Sequence, residues 1–324
     1  MEQTMKYHYP EISSIRTMID GIWKRKYYTN QGPLANELEL KIQQSLGVNH
    51  AIAMANCDIG LLIALLALGK KSLALIPNYH PYYLKNALIR MNIPALDHAQ
   101  DIFGVEKNLH AGISIQKNQV VFGFHALGKV TDVTSLVNYC ATNHSDLVLV
   151  SDNLYESFQS QAECKCKMVE LFSFEQSQLV NGGEGACVVT NDKELAAKMR
   201  NIRSSYGAGQ PVEIPFTGNG RMSEFQAGMA LLSLKELDNY KNQVRLAHLA
   251  ATSLLADHGI RGENIIPTAD SYFAFRSNNA SLASQIQHEI ASLGFVRIDI
   301  PFYLPENAVS SFEHIFLFMI NAIN

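Results

Sequence analysis

Apolar residues recur at every fourth position in the stretch that follows Gly32-Pro33. They are Leu34, Leu38, Ile42 and Leu46. Residues four apart lie on one face of an α-helix, proline is tolerated in its first turn, and glycine commonly ends it. The pattern therefore predicts a helix that begins at Gly32-Pro33 and ends at Gly47.

Short and long apolar runs alternate after this helix. Residues 51–55 form a short run, residues 59–68 form a longer run closed by Gly69, and residues 73–76 form another short run. Short runs favour buried strands and longer runs favour helices. A strand, a helix and a strand in this order form a β-α-β unit, so we expect a parallel sheet.

The alternation continues toward the middle of the chain. Residues 119–124 and 147–150 are predicted strands, a helix is expected over 131–142, and the second strand ends in Ser151-Asp152. Ligands of open parallel sheets bind beyond the carboxyl ends of the strands, so Asp152 is a candidate site residue. A turn or capping role for Asp152 is the alternative.

Residues 172–192 contain an apolar entry, a polar turn, three glycines and a β-branched run. The glycines are Gly182, Gly183 and Gly185. This order predicts a strand, a tight loop and a second strand. Glycine permits close approach of the backbone to a ligand, but a plain β-turn would give the same pattern. The local sequence leaves both interpretations open.

The last part of the chain is predicted to be mostly helical and then mixed. Asn191-Asp192 should cap a helix that runs to about residue 203. A loop over 218–221 precedes a long amphipathic region over 222–258, which we expect to be broken or bent near its middle. The remainder resembles a small α+β domain. Its predicted strands cover 272–275 and 296–300, and its predicted helix covers 282–293.

The composition is that of an ordinary globular protein. The chain has 324 residues and a net charge of -4, and its lysines and arginines are scattered, so we expect no nucleic-acid binding. The longest apolar run, 59–68, is shorter than the ~20 residues that a membrane-spanning helix needs. The polar N-terminus lacks the features of a signal peptide. We therefore expect a cytoplasmic protein without a membrane segment.

The five cysteines are loosely spaced and odd in number. They predict neither a disulfide framework nor a zinc site. Cys164 and Cys166 form a single Cys-x-Cys, and no second Cys or His pair stands at matching spacing. We therefore predict no metal centre.

Several segments, taken in order, resemble the DegT/DnrJ/StrS-type sugar aminotransferases. Those proteins are pyridoxal-phosphate enzymes of fold type I that act on nucleotide-linked keto sugars. The resemblance covers roughly residues 28–245 and, more faintly, the tail. The best-matching segments are Thr-Asn-Gln-Gly-Pro-Leu at 29–34, Leu-Gly-Val at 46–48, Gly-Glu-Gly-Ala at 183–186, Val-Val-Thr-Asn-Asp at 188–192 and Asn-Gly-Arg-Met-Ser-Glu-Phe-Gln at 219–226.

The resemblance implies an α/β fold with two domains. The large domain has a mostly parallel central sheet flanked by helices, and the small C-terminal domain is α+β. We expect an N-terminal arm over residues 1–30, the large domain over 31–240 and the small domain over 241–324.

The resemblance also assigns roles to four residues of this chain, of which Asp152, Ser173 and Asn219 are retained and Tyr155 is a replacement. Asp152 matches the acid that pairs with the pyridine nitrogen of the cofactor and keeps the ring protonated. Tyr155 stands where the family usually has Gln or His, and it can still form a hydrogen bond. Ser173 matches a hydroxyl that contacts the phosphate. Asn219 matches a residue that a neighbouring subunit offers to the phosphate, which implies a homodimer with shared sites.

Two parts of the predicted cofactor site depart from the family, the phosphate-binding pair and the aromatic residue that stacks on the ring. A Gly-Thr pair at a helix N-terminus usually binds the phosphate, and this chain has Cys57-Asp58 instead. We expect Asp58 to cap the helix and repel phosphate, because two unit charges at ~4 Å interact by about 4 kcal/mol at an effective dielectric of about 20. The aromatic residue that usually stacks on the ring aligns with Pro81. The neighbours that could replace it are Tyr79, His80 and Tyr82.

The third departure concerns the lysine that binds the cofactor covalently. An ungapped alignment through Asn181 and Glu184 places Ser177-Gln178 on the Thr-Lys pair of the family. Gln178 therefore occupies the lysine position. An amide can neither form the covalent bond nor move the proton, so we predict that Gln178 is inactive in transamination. Some relatives that dehydrate sugars have His here, but glutamine lacks useful basicity.

Another lysine could in principle serve. Lys129 follows the strand 119–124 on a loop that borders the site in the family. A solvated loop lysine is the alternative. The nearby His125 could carry a proton or could serve packing.

Two functional hypotheses follow. The first is a degenerate, non-transaminating homologue that binds a nucleotide sugar or assists a partner enzyme. It accounts for the altered phosphate position and the missing lysine together. The second is an aminotransferase or dehydratase of nucleotide-sugar and polysaccharide biosynthesis that holds pyridoxal or pyridoxamine phosphate non-covalently. Its anchors would be Asp152, Ser173 and Asn219.

Overall fold

The computed structural model of the chain describes residues 9–98, 118–125, 127, 133–151, 166–204, 219–266, 268, 272–298 and 314–320. The helices are α1 (Ile12–Arg25), α2 (Pro33–Leu46), α3 (Cys57–Leu68), α4 (Tyr82–Arg90), α5 (Thr134–Asn143), α6 (Lys193–Arg203), α7 (Glu224–Asp257) and α8 (Ala280–Ser292). The strands are β1 (His50–Met54), β2 (Leu73–Pro77), β3 (Ala95–His98), β4 (Gln119–His125), β5 (Asp146–Ser151), β6 (Met168–Ser173), β7 (Ala186–Thr190), β8 (Ile265–Ile266), β9 (Tyr272–Arg276), β10 (Phe295–Arg297) and β11 (Ile315–Ile320).

The larger sheet of the described chain has seven strands in the order β1-β7-β6-β5-β4-β2-β3. The pairings from β6 through β3 are parallel, and β7 is antiparallel to both of its neighbours. This topology confirms the predicted α/β class with a mostly parallel sheet. The β1-α3-β2 unit spans the sheet, since β7, β6, β5 and β4 lie between its two strands.

Alternating side chains along β1 show how helices cover both faces of the sheet. Ile52 and Met54 join a buried cluster with α3 on one face. Ala51 and Ala53 join a second cluster with α2 and α7 on the other face. Successive strand residues point to opposite faces, so a strand buried on both sides is apolar throughout.

Local signals placed several helix ends correctly. Gly47 follows α2 with a left-handed φ of 66°. Asp192 caps α6, and its Oδ1 accepts a hydrogen bond from Leu195 N–H at 2.9 Å. Both ends were predicted from cap residues.

One helix was not predicted, and the expected break in α7 was wrong. The N-terminal arm contains α1, whose Ile15, Met18 and Ile22 face the protein at helical spacing. The helix α7 is continuous and has no break near its middle. Buried side chains from Ala227 to Leu255 recur along its whole length, so tertiary packing holds it together.

The second sheet has four antiparallel strands in the order β10-β11-β9-β8. Together with α8, these strands have the composition expected of a small α+β unit. The proposed boundary at residue 240 falls inside α7. The division into 1–30, 31–240 and 241–324 stays a prediction. Among the described helices, none combines the length and apolar character required to cross a membrane.

Candidate functional site

The carboxyl ends of the parallel strands meet the amino end of β7 at one edge of the sheet. The strand register aligns Met54, Ala186 and Ser173 across β1, β7 and β6. It aligns His125 with Ser151 across β4 and β5. The segments that follow β1 and β6 and precede β7 therefore share this edge, which brings most of the predicted site residues together.

Asn56 caps the N-terminus of α3. Its Oδ1 accepts a hydrogen bond from Ile59 N–H at 3.0 Å. The predicted capping role of Asp58 was wrong, because the helix begins at Cys57 and Asp58 is its second residue. Asp58 is exposed there, and the helix dipole still favours its carboxylate. Cys57 is buried in the core cluster rather than displayed at the edge.

Main-chain hydrogen bonds fix the loop between β6 and β7, which we call the glycine loop (residues 174–185). Phe174 N–H donates to Gly185 O at 2.9 Å, and Gly182 N–H donates to Phe174 O at 2.9 Å. Gly185 has a φ of 133°, and a Cβ there would lie 2.7 Å from Met222 Cε. The positive φ therefore favours glycine at position 185, and a larger residue would also displace the end of the Met222 side chain.

Gln178 and Ser173 lie on this loop and at its entry. The Gln178 N–H donates to Glu175 O at 2.9 Å, and the Gln178 side chain is half-buried. Ser173 Oγ accepts a hydrogen bond from Glu175 N–H at 3.3 Å. Both predicted residues are thus at the site edge, and Glu175 lies between them in the chain.

Three carboxylates gather where the glycine loop meets α3. Glu184 Oε1 accepts a hydrogen bond from Asn56 Nδ2 at 3.1 Å. Glu175 reaches solvent on one side, but desolvation raises the pKa of its carboxyl, and the charges of Asp58 and Glu184 raise it further. The protein therefore places its own negative charge at the position expected for a phosphate.

Asn219 lies beside the same edge within one chain. Gly220 O accepts a hydrogen bond from Ala55 N–H at 2.9 Å, just before α3. Asn219 is exposed, and its Oδ1 accepts from Arg221 Nε at 3.0 Å. The amide of Asn219 thus stays accessible, although the predicted contact across a subunit boundary is untested.

The aromatic candidates after β2 occupy different environments. Tyr79 is buried and packs against Phe124, with ring centroids 6.0 Å apart. His80 is buried, and its Nδ1 is 3.0 Å from Pro81 O. Tyr82 is 62% exposed in the first turn of α4. Tyr79 therefore serves the core, and Tyr82 retains a free ring face for a ligand.

Three predicted residues, Asp152, Tyr155 and Lys129, lie outside the described residues. Nearby, Ser151 Oγ donates a hydrogen bond to Glu170 Oε1. His125 Nε2 lies 3.8 Å from the same oxygen. Burial lowers the pKa of His125 to about 4, so its imidazole is neutral at neutral pH. This environment favours the packing role of His125 over proton transfer.

The described residues do not fit a phosphate-bearing cofactor attached through a lysine. Gln178 carries no amine, and Cys57 is turned into the core. The carboxylates of Asp58, Glu175 and Glu184 have the wrong charge for a phosphate site. Ser173 and Asn219 alone match the predicted anion contacts.

Sequence reasoning missed two contacts at this edge. Asparagine is a preferred N-cap, so the turn before α3 held a signal for Asn56 that was overlooked. The hydroxyl of Tyr9 donates a hydrogen bond to Gln176 Oε1 at 3.3 Å. These two residues are 167 positions apart, and no local pattern predicts their contact.

Comparison with known proteins identifies sugar aminotransferases. The DegT/DnrJ/EryC1/StrS aminotransferase family matches residues 11–292. The dTDP-4-amino-4,6-dideoxy-D-glucose transaminase of Shigella dysenteriae is 22% identical over 71% of this chain and 64% of its own length. The GDP-perosamine synthase of Caulobacter vibrioides is 24% identical over 66% of this chain and 60% of its own length.

A solved structure agrees in fold. The crystal structure of DesI with its TDP-sugar product has a TM-score of 0.80 and 20% sequence identity. The alignment covers 100% of this chain and 90% of DesI. At this identity the likeness establishes the fold.

Proposed function

The chain belongs to the DegT/DnrJ/EryC1/StrS aminotransferase family, and we propose that it is a non-transaminating member that binds a nucleotide-linked sugar. The ligand class is supported by two relatives, a dTDP-4-amino-4,6-dideoxy-D-glucose transaminase and a GDP-perosamine synthase, whose names refer to dTDP- and GDP-linked sugars. A partner enzyme of the same biosynthesis is the further binding candidate. The proposal places the protein in the cytoplasm, where activated sugars are made.

The main support for this proposal is that Gln178 stands at the lysine position of the family. Gln178 lies at the site edge, on a loop whose path is fixed by main-chain hydrogen bonds. The covalent step of transamination needs an amine at that position, and an amide nitrogen is neither nucleophilic nor basic. The chain therefore retains the family scaffold while this position has no reactive group.

A second candidate is an enzyme that holds pyridoxal or pyridoxamine phosphate non-covalently. Asp152 favours it, because it directly follows Ser151 at the carboxyl end of β5 and matches the acid of the family. When bound, such a cofactor supplies an electron sink for chemistry at the sugar carbon. Ser173 and Asn219 would hold its phosphate.

A homodimer is part of the proposal. Asn219 is exposed beside the start of α3, where it can meet a neighbouring copy. The segment that carries Tyr9 also reaches the glycine loop. If a second copy packed on this edge, each copy would contribute residues to the site of the other.

Borohydride trapping tests the proposal. The purified protein would be mixed with pyridoxal phosphate, its visible spectrum recorded, and sodium borohydride added. We expect no irreversible labelling and no amino transfer to a keto acid. Isothermal titration with dTDP-glucose should show saturable binding.

Two results would overturn the proposal. One is a label fixed by borohydride and mapped by mass spectrometry to Lys129 or another lysine. The other is the absence of dTDP-glucose binding by a protein shown to be folded by circular dichroism. Reversible cofactor binding without fixation would instead support the second candidate.

A further inference from the structure

We propose that Asp58 and Glu175 together exclude the phosphate of a pyridoxal-type cofactor from the N-terminus of α3, and that they do so independently of Gln178. The inference deepens the proposed function, and it rests on that function for the identity of the site. The acid at Asp58 was noticed in the sequence, whereas the contribution of Glu175 follows from the fold.

A single side-chain amide joins α3 to the glycine loop. Asn56 uses both ends of its amide, since Oδ1 caps Ile59 N–H and Nδ2 binds Glu184 Oε1 at 3.1 Å. The Glu184 carboxylate is thereby held against the N-terminus of α3. Asp58 follows in the first turn of the same helix. An anion approaching these N–H groups meets two carboxylates already in place.

The fold of the glycine loop brings Glu175 toward Asp58 and Glu184. Phe174 N–H donates to Gly185 O at 2.9 Å, so residues 174 and 185 are adjacent across the loop. Glu175 and Glu184 are the next residues outward on the two sides. Glu175 is also tied back to Ser173 through its N–H, at 3.3 Å. The side chain of Glu175 consequently belongs to the same edge as Asp58 and Glu184.

The three carboxylates concentrate negative charge at this edge. Desolvation raises the pKa of Glu175, and the charges of Asp58 and Glu184 raise it further. A phosphate would add negative charge to this group. Repulsion between one carboxylate charge and one phosphate charge at ~4 Å raises the dissociation constant roughly fivefold in water. At an effective dielectric of about 20 it raises the dissociation constant by about a thousandfold. Nothing in this effect depends on the residue at position 178.

The test compares pyridoxal phosphate with pyridoxal, which lacks the phosphate. Dissociation constants would be measured by absorbance and fluorescence for the wild-type protein and for Asp58→Asn/Glu175→Gln. We expect the double variant to bind pyridoxal phosphate at least about tenfold more tightly, with pyridoxal changed less than about twofold. The matched control is Glu194→Gln, because Glu194 is the second residue of α6 as Asp58 is of α3.

The same substitutions in a Gln178→Lys background separate the effect of the two carboxylates from the effect of the missing amine. Gln178→Lys alone should bind pyridoxal phosphate no more tightly than it binds pyridoxal. Adding Asp58→Asn/Glu175→Gln should restore a preference for the phosphate form and permit fixation by borohydride. The single variant Glu175→Gln, which keeps the helix turn intact, should give an intermediate effect if the double variant folds poorly.

Two outcomes would overturn the inference. One is strong preference for pyridoxal phosphate in Gln178→Lys with both acids present. The other is an unchanged ratio of the two dissociation constants in folded Asp58→Asn/Glu175→Gln and Glu175→Gln proteins. Neither outcome depends on whether the wild-type protein is labelled by borohydride, so failure of the inference and failure of the proposed function can be distinguished.

Discussion

His125 shows how burial fixes the protonation state of a single side chain. Its ring lies at the end of β4 beside Ser151 and Glu170. Burial lowers the pKa of His125 to about 4. The neighbouring carboxylate already accepts the hydroxyl of Ser151, and we therefore assign the imidazole as neutral. In the unfolded chain a histidine has a pKa near ~6.5 and binds a proton more readily than the folded state does.

This difference predicts acid sensitivity. Stability contributed by neutral His125 is present above the pKa of the unfolded state and is lost as pH falls toward about 4. The loss is on the order of 3 kcal/mol. Urea unfolding of His125→Gln across this interval should give a shallower pH dependence than wild type. Exposed His288 provides the control, and His288→Gln should keep the wild-type slope. Equal slopes for all three proteins would mean that His125 is charged in the fold.

At the scale of elements, a buried ion-pair network joins α2, α6 and β1. Glu39 Oε1 accepts from Arg203 Nη1 at 2.7 Å and from Ala53 N–H at 3.0 Å. Glu39 Oε2 accepts from Arg200 Nη1 at 2.9 Å. Arg203 also donates to Ala53 O at 2.9 Å. These bonds fix the two helices against the strand that leads into the site.

Removing the carboxylate from this network should be costly. In Glu39→Gln, Arg203 keeps its buried charge but loses its counter-charge, for which we expect a loss of about 3–5 kcal/mol in the free energy of unfolding. Glu37→Gln, an exposed change on the same helix, should alter stability by less than about 0.5 kcal/mol. Denaturant unfolding measures both. A small effect of Glu39→Gln would show that hydration compensates Arg203.

Elements with local signals were predictable, and elements held by distant packing were not. The ends of α2 and α6 follow from Gly47 and Asp192, and most strands follow from apolar runs. The continuity of α7 depends on the contacts that its buried residues make along one large core cluster. At the site, the resemblance located Gln178 and Ser173. The grouping of Glu175 with Asp58 required the loop to fold back on α3, which no local pattern encodes.

At the scale of the whole molecule, α1 carries an apolar stripe that is exposed among the described residues. Ile12, Ile19 and Trp23 are 60%, 45% and 72% exposed. Their spacing places them on one face of the helix. Tyr9, just before this helix, contacts the glycine loop. Tyr9 therefore brings the N-terminal end of α1 near the edge where the proposed homodimer would share its sites.

A charge introduced into the stripe should weaken the proposed homodimer. Trp23→Glu places an ion in a surface that would be apolar and buried, so we expect the dimer dissociation constant to rise by about tenfold or more. Leu249→Glu, at an exposed apolar position on α7, is the control and should leave association unchanged. Light scattering after size-exclusion chromatography reports the mass. A Trp23→Glu protein that associates as tightly as wild type would place the interface elsewhere.

The antiparallel strand β7 has a consequence for how this scaffold can change. It is paired on both sides, to β6 and to β1, so the glycine loop is anchored by a ladder at each end. The course of the glycine loop is held by main-chain hydrogen bonds and by Gly185. The side chain of Gln178 takes no part in those hydrogen bonds. Architecture and reactivity are therefore separable here. A lineage with this scaffold can exchange its nucleophile without refolding the backbone that displays it.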